Sequence, residues 1–149
     1  MFLGEYRHSI DEKGRVTVPA RYRQLLEGGA YITHGFDRNL MVLQSDTFEA
    51  FTERLNLMSI TDAQVRKLRR LLLARAENVQ PDGSGRILLP VFLREAVELE
   101  GEVVLIGGGS FFELWSPENW ARQQDELDDA QEDANYFSAL ELFASGGGE

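Results

Sequence analysis

Asp11-Glu12-Lys13-Gly14-Arg15 and Asp82-Gly83-Ser84-Gly85-Arg86 are two versions of one pentapeptide. Each runs into a short apolar stretch that ends on proline, Val16-Thr17-Val18-Pro19 and Ile87-Leu88-Leu89-Pro90. A single separation of 71 residues carries Asp11 to Asp82, Gly14 to Gly85, Arg15 to Arg86, Pro19 to Pro90, Arg23 to Arg94, Leu43 to Leu114 and Ser45 to Ser116. A fixed period is the sequence signature of a repeated structural unit. Here the period is about half of the 149 residues, so the chain reads as two fused copies of one small module and not as a solenoid.

Working outward from the first copy, Tyr6-Arg7-His8-Ser9-Ile10, the turn and Val16-Thr17-Val18 read as a β-hairpin around a Gly-bearing loop. Pro19 suits the first turn of a short helix over Ala20 to Leu26, stopped by Gly28-Gly29. Strands follow at Tyr31 to His34 and Leu40 to Leu43, and then a helix capped by Ser45 or Asp46 and running to about Met58. The second copy repeats this order: a short helix after Pro90, strands at Val103 to Ile106 and Phe111 to Trp115, and a helix capped by Ser116 with Pro117 at its first position. Between the copies the spacing predicts the strongest helix, Thr61 to Ala76, opened by the capping-box pattern Thr61-Asp62-Ala63-Gln64. Val65, Leu68, Leu72 and Ala76 share one face of it, and Arg66, Lys67 and Arg70 the other.

An apolar fraction of 43% can supply a sizeable core, but each half alone is marginal by surface-to-volume scaling, which favours intertwined halves or oligomers. The absence of cysteine removes disulfides, thiolate zinc sites and thiol nucleophiles. The N-terminal residues have neither a basic start nor a long apolar run, and a soluble cytosolic protein is expected. The net charge of -10 is unevenly spread: residues 1–80 hold 12 Lys/Arg against 10 Asp/Glu, 81–117 hold 2 against 6, and 118–149 hold 1 against 9. A global figure therefore says little about any one surface. Gln123 to Asp133 is charged, with apolar residues too sparse to mark a core helix, and Ser145-Gly146-Gly147-Gly148-Glu149 is expected to be disordered.

The duplicated turn has a plain structural reading: Gly relieves the strain of positive φ, Asp bonds the loop backbone, and Arg closes an ion pair with Asp. A turn needs Gly more than it needs Arg, yet both copies keep Arg in register. Arg is the side chain best suited to bidentate recognition of guanine O6 and N7 in the major groove. Catalysis has little support. His8 and His34 stand in no metal-ligand spacing, adjacent carboxylates such as Asp11 and Glu12 do not face one another, and Gly107-Gly108-Gly109 lacks the lysine and helix of a phosphate-binding loop and reads as a turn between strands. No catalytic residue, metal or cofactor is assigned. Phe111, Phe112, Leu114, Trp115 and Trp120 form the densest aromatic cluster, without interleaved basic residues, and are expected in the core.

With these residues in view, the sequence closely resembles the MraZ family of bacterial transcriptional regulators, built from two tandem SpoVT-AbrB-type modules. The resemblance is carried by Met1-Phe2-Leu3-Gly4, both signature turns, Val16 to Arg23, the run Arg70-Leu71-Leu72-Leu73-Ala74, Ala76-Glu77, and Phe112-Glu113-Leu114-Trp115. It implies a β-rich α+β fold of swapped hairpins forming a pseudo-two-fold barrel within one chain, with modules at 5–47 and 77–120, a helical linker region at 48–76 and an acidic segment at 121–149. It implies a homo-oligomeric ring, cytoplasmic and nucleoid-associated. The ring's partner is double-stranded promoter DNA, with no membrane and no small-molecule substrate. The DNA is expected to be short G-rich direct repeats ahead of the division and cell-wall gene cluster that includes the regulator's own gene, with repression the expected outcome. Arg15 and Arg86 match the DNA-reading arginines, Asp11, Gly14, Asp82 and Gly85 shape the loops, and Lys13 is assigned to phosphate. Ser84, expected as a DNA contact in the second loop, stands where Lys13 stands in the first copy, so that loop carries less charge. Arg7, Arg21 and Arg23 are further candidates for phosphate contact, with intramolecular ion pairs as the competing reading. The alternative to an operator-reading regulator is an oligomeric protein-interaction scaffold without specific DNA binding.

Overall fold

The structure is a computed structural model that describes residues 1–131. Met1–Pro117 form one compact unit, and a second begins at Glu118. In the first unit the elements run β1 (Glu5–Ser9), β2 (Arg15–Thr17), α1 (Ala20–Leu25), β3 (Ala30–His34), β4 (Leu40–Gln44), α2 (Ser45–Leu57), α3 (Ala63–Leu72), β5 (Glu77–Val79), β6 (Arg86–Leu88), α4 (Val91–Ala96), β7 (Glu102–Gly107) and β8 (Phe111–Trp115).

The strands make a six-stranded sheet in the order β1-β7-β8-β4-β3-β5 and a separate two-stranded ribbon, β2-β6. Exchanging the halves, β1 for β5, β3 for β7 and β4 for β8, returns the same sheet order read from the other end, which is the pseudo-two-fold relationship expected of a duplicated chain. The halves are also interleaved. β1 pairs antiparallel with β7 of the second half, β5 with β3 of the first, and β2 with β6, its own counterpart. The local hairpin expected between residues 6–10 and 16–18 is therefore replaced. Only one bridge, Ile10 to Val16, joins the arms across the turn, and the ladders run between halves. A lone hairpin of such short arms is marginal in water, whereas exchange seats β1 on β7 and β2 on β6 over one shared core.

That core alternates with the strand period. Ile32, Leu40, Val42, Val103, Leu105, Phe112 and Leu114 on one sheet face cluster with Val16, Val18, Ile87 and Leu89 from the ribbon and its continuations. On the opposite face Tyr31, Met41, Leu43 and Phe111 pack with Phe48, Leu55 and Leu72 of α2 and α3. Tyr22 is buried in the first cluster, its ring 5.1 Å from Phe2 and 4.8 Å from Phe112, and its hydroxyl donates to the Leu3 carbonyl at 2.8 Å. Phe112, Leu114 and Trp115 are buried, as the core reading of the aromatic cluster expects.

The register corrects the single separation of 71. Glu77 pairs with Ile32 as Tyr6 pairs with Leu105, so Ile32 corresponds to Leu105, a separation of 73. Ile32 in turn faces Val42 as Leu105 faces Leu114, so Val42 corresponds to Leu114, a separation of 72. Leu43 and Leu114, matched by sequence, lie on opposite sheet faces, because a one-residue slip in a strand reverses the face. The segments after α1 and α4 differ in length by two residues and the β3–β4 and β7–β8 turns by one in the opposite sense, which leaves a net slip of one.

The helix expected over Thr61 to Ala76 is shorter at both ends. Asp62 is the N-cap, accepting from the Gln64 N–H at 2.8 Å, while the Thr61 hydroxyl is engaged with that of Ser59 at 2.7 Å. At the other end the chain must be extended by Glu77 to pair with β3, and the buried Thr33 hydroxyl donates to the Leu72 carbonyl at 2.6 Å. Gly107-Gly108-Gly109 is the turn between β7 and β8, bridged to the N-terminal segment by paired hydrogen bonds between Phe2 and Gly109. The last described element, α5, runs Pro117–Gln131 with proline at its first position, and from Glu118 on it belongs to the second unit. The segment expected to be disordered, 145–149, lies outside the described residues.

Candidate nucleic-acid interface

The two signature turns are built identically. Asp11 Oδ1 accepts from the N–H groups of Lys13 and Arg15, both at 2.9 Å, and its Oδ2 accepts from Arg15 Nε at 3.0 Å. Asp82 Oδ1 accepts from the N–H groups of Ser84 at 2.9 Å and Arg86 at 3.0 Å, and its Oδ2 from Arg86 Nε at 3.1 Å. One carboxylate thus closes the loop and fixes the guanidinium that follows it. The N–H of Arg15, then its guanidinium and the N–H of Lys13, hold the Asp11 carboxyl below the usual carboxylate range; the N–H groups of Arg86 and Ser84 and the Arg86 guanidinium do the same for Asp82. Gly14 and Gly85 sit at φ +82° and +76°, where a side chain is disfavoured.

Swapping brings the two turns side by side. Arg15 Nη1 lies 3.9 Å from Asp82 Oδ2, and Arg86 Nη1 lies 3.7 Å from Asp11 Oδ2, so arginines and aspartates alternate around a four-membered ring. These cross-pairs exceed hydrogen-bond length, so the Nη1 and Nη2 edge of each guanidinium keeps its donors for a ligand. With side chains about one-third exposed, each pair adds little to stability, and its effect is orientation.

Two further arginines brace the ring. Arg23 Nε donates to the Val18 carbonyl at 2.9 Å while its guanidinium covers Gly85 of the other half; Arg94 Nε donates to the Leu89 carbonyl at 3.1 Å and covers Gly14. The glycine carbonyls are tied across as well, Gly85 accepting from Val18 N–H and Gly14 from Leu89 N–H, both at 2.9 Å. Four guanidiniums around two carboxylates make this patch positive in a chain of charge -10.

In the ribbon, Arg15 faces Leu88 and Thr17 faces Arg86, and all four are at least partly exposed while Val16 and Ile87 between them are fully buried. Arg15 and Arg86 therefore share one outward face. Lys13 and Ser84 are exposed on the turns themselves. Arg7 is not brought into this arrangement; it is exposed on β1, opposite Val104. Arg23 is committed to Val18 and Gly85. Arg94 was missed as a site residue, although the 71-residue register that matches it to Arg23 carries the signal.

The family model described as "MraZ protein, putative antitoxin-like" matches twice, over residues 1–71 and 72–139. The chain belongs to the MraZ family. Among its relatives, a protein named transcriptional regulator MraZ from Thermomicrobium roseum is 43% identical over 127 residues, covering 85% of this chain and 89% of the relative. Its namesake from Herpetosiphon aurantiacus is 41% identical over 141 residues, covering 94% and 99%, and that from Corynebacterium glutamicum is 39% identical over 147 residues, covering 99% of each. The two matches of the MraZ family model begin 71 residues apart, so the family repeat and the repeated turns share one period. Among the described residues no helix is long and apolar enough to cross a membrane.

Proposed function

We propose that this chain is a sequence-specific DNA-binding regulator that represses its own operon in the division and cell-wall gene cluster. Arg15 and Arg86 read guanine edges in G-rich promoter direct repeats, and Lys13 contacts phosphate. The observation that carries this reading is the alternating Arg–Asp ring, which fixes two guanidiniums on one outward face of a two-stranded ribbon. A ribbon of that width fits the major groove, and a bidentate Arg–guanine contact discriminates by about 1–3 kcal/mol. One chain offers few contacts, but a homo-oligomeric ring aligned with repeated sites makes later contacts intramolecular and raises avidity by roughly 100- to 10,000-fold. A cytoplasmic, nucleoid-associated location follows from that role. The test is fluorescence anisotropy against the DNA upstream of its own gene and a scrambled duplex over a salt series, with Arg15→Ala and Arg86→Ala. Specific binding that weakens steeply with salt and collapses without Arg15 is expected. Equal binding to both duplexes would overturn the reading.

A further inference from the structure

The outward face of the ribbon carries one residue that neither fold nor charge explains. Leu88 is 55% exposed and lies directly across the ladder from Arg15. Its pseudo-symmetric counterpart is Thr17, across from Arg86, so the fold accepts a small polar side chain at this place. The core does not call for Leu88 either, since Ile87 and Leu89 on either side of it are fully buried. Exposed leucine on a short strand gains little from the sheet, where β-branched residues are the favoured choice.

Resting on the DNA reading above, we infer that Leu88 is a specificity-determining residue that packs on the C5 methyl of a thymine next to the guanine read by Arg15. Directly opposed residues in an antiparallel ladder hold their β-carbons about 5 Å apart. Adjacent bases stack at about 3.4 Å along each strand, so neighbouring side chains on one ribbon face reach neighbouring base edges. In the major groove thymine is distinguished by its methyl group, which apolar side chains recognise. The second ribbon position then reads differently: Thr17 beside Arg86 offers a smaller methyl and a hydroxyl, so the two halves of one chain read non-identical steps.

The experiment uses the full chain and a promoter duplex in which each thymine is replaced singly by deoxyuridine, which lacks only that methyl. Wild type is expected to lose about fourfold in affinity at one thymine, the worth of burying one methyl, and Leu88→Ala to bind the thymine and deoxyuridine duplexes equally. Val91→Ala, at an exposed apolar residue outside the ladder, keeps the wild-type discrimination. Arg15-dependent promoter binding with no deoxyuridine effect at any position overturns the inference and leaves the DNA reading standing. A deoxyuridine penalty that persists in Leu88→Ala, or a changed oligomeric mass in that variant, also overturns it. Wild type that fails to prefer promoter over scrambled duplex removes the DNA reading itself.

Discussion

Arg23 of the first half packs on Gly85 of the second so closely that a β-carbon at position 85 would fall on the guanidinium. Arg94 stands in the same relation to Gly14, where a β-carbon would lie 2.7 Å from Nη2. Each turn is thus propped by an arginine from the other half, and neither can move without its partner's brace.

Gly85→Ala is expected to destabilise for two separable reasons. Positive φ costs an L-residue about 1–2 kcal/mol, and crowding the guanidinium adds about 1–3 kcal/mol. Gly101 provides the reference, with φ +70° and nothing within 4 Å of the added carbon, so Gly101→Ala carries the first cost alone. Urea unfolding should rank Gly85→Ala below Gly101→Ala, and Arg23→Ala placed in the Gly85→Ala background should recover part of the difference. Equal losses at the two glycines would mean that Arg23 swings aside freely and does not brace the turn.

The turns also set an acid limit. Asp11 and Asp82 titrate below their ordinary value of 3.8 because the folded loops donate hydrogen bonds to the ionised form. The unfolded chain therefore binds these protons first as pH falls. The stabilisation is complete above the unfolded value and is lost as pH drops through the folded one. Replacing both by Asn should lower stability at neutral pH and flatten its decline between about pH 5 and pH 2, followed by urea unfolding across that range. A decline as steep as in wild type would assign the acid sensitivity to other carboxylates.

Much of this arrangement was legible in the residues, and the part that was not has a common cause. Asp, Gly and Arg in fixed spacing predict the turn, its positive φ and the Asp–Arg pair, because those interactions lie within five residues. The pairing of β1 with β7 and of β2 with β6 lies between halves and leaves no local mark. Residues 6–10 and 16–18 read as a hairpin because each run has strand character, and strand character does not name a partner. Glu77-Asn78-Val79 is a strand only because β3 receives it; its residues alternate too little to announce one. The slip that parts Leu43 from Leu114 is hidden for another reason. Both are leucines in apolar strands, and the face each occupies is set by a one-residue difference between the β3–β4 and β7–β8 turns, since the two-residue difference after α1 and α4 alone would keep the face.

Glu113 in β8 bears on the opposite end of the pH scale. It is half-buried between Met41 and Ile106 in the sheet register and accepts from Trp115 Nε1 at 3.1 Å. Burial pushes its carboxyl above the ordinary value of 4.5, and Asp37 pushes the same way, while the Trp115 hydrogen bond opposes them. With the folded value raised, the folded chain holds this proton longer than the unfolded chain does. Its contribution is fully present below the unfolded value and is lost as pH rises through the folded one. Glu113→Gln keeps an oxygen for Trp115 and removes the charge. The variant should be more stable than wild type at about pH 8, with the advantage shrinking towards about pH 4 as the wild-type carboxyl becomes neutral, both read by urea unfolding. A variant less stable than wild type at both values would mean that the ionised carboxylate is worth more to Trp115 than its desolvation costs.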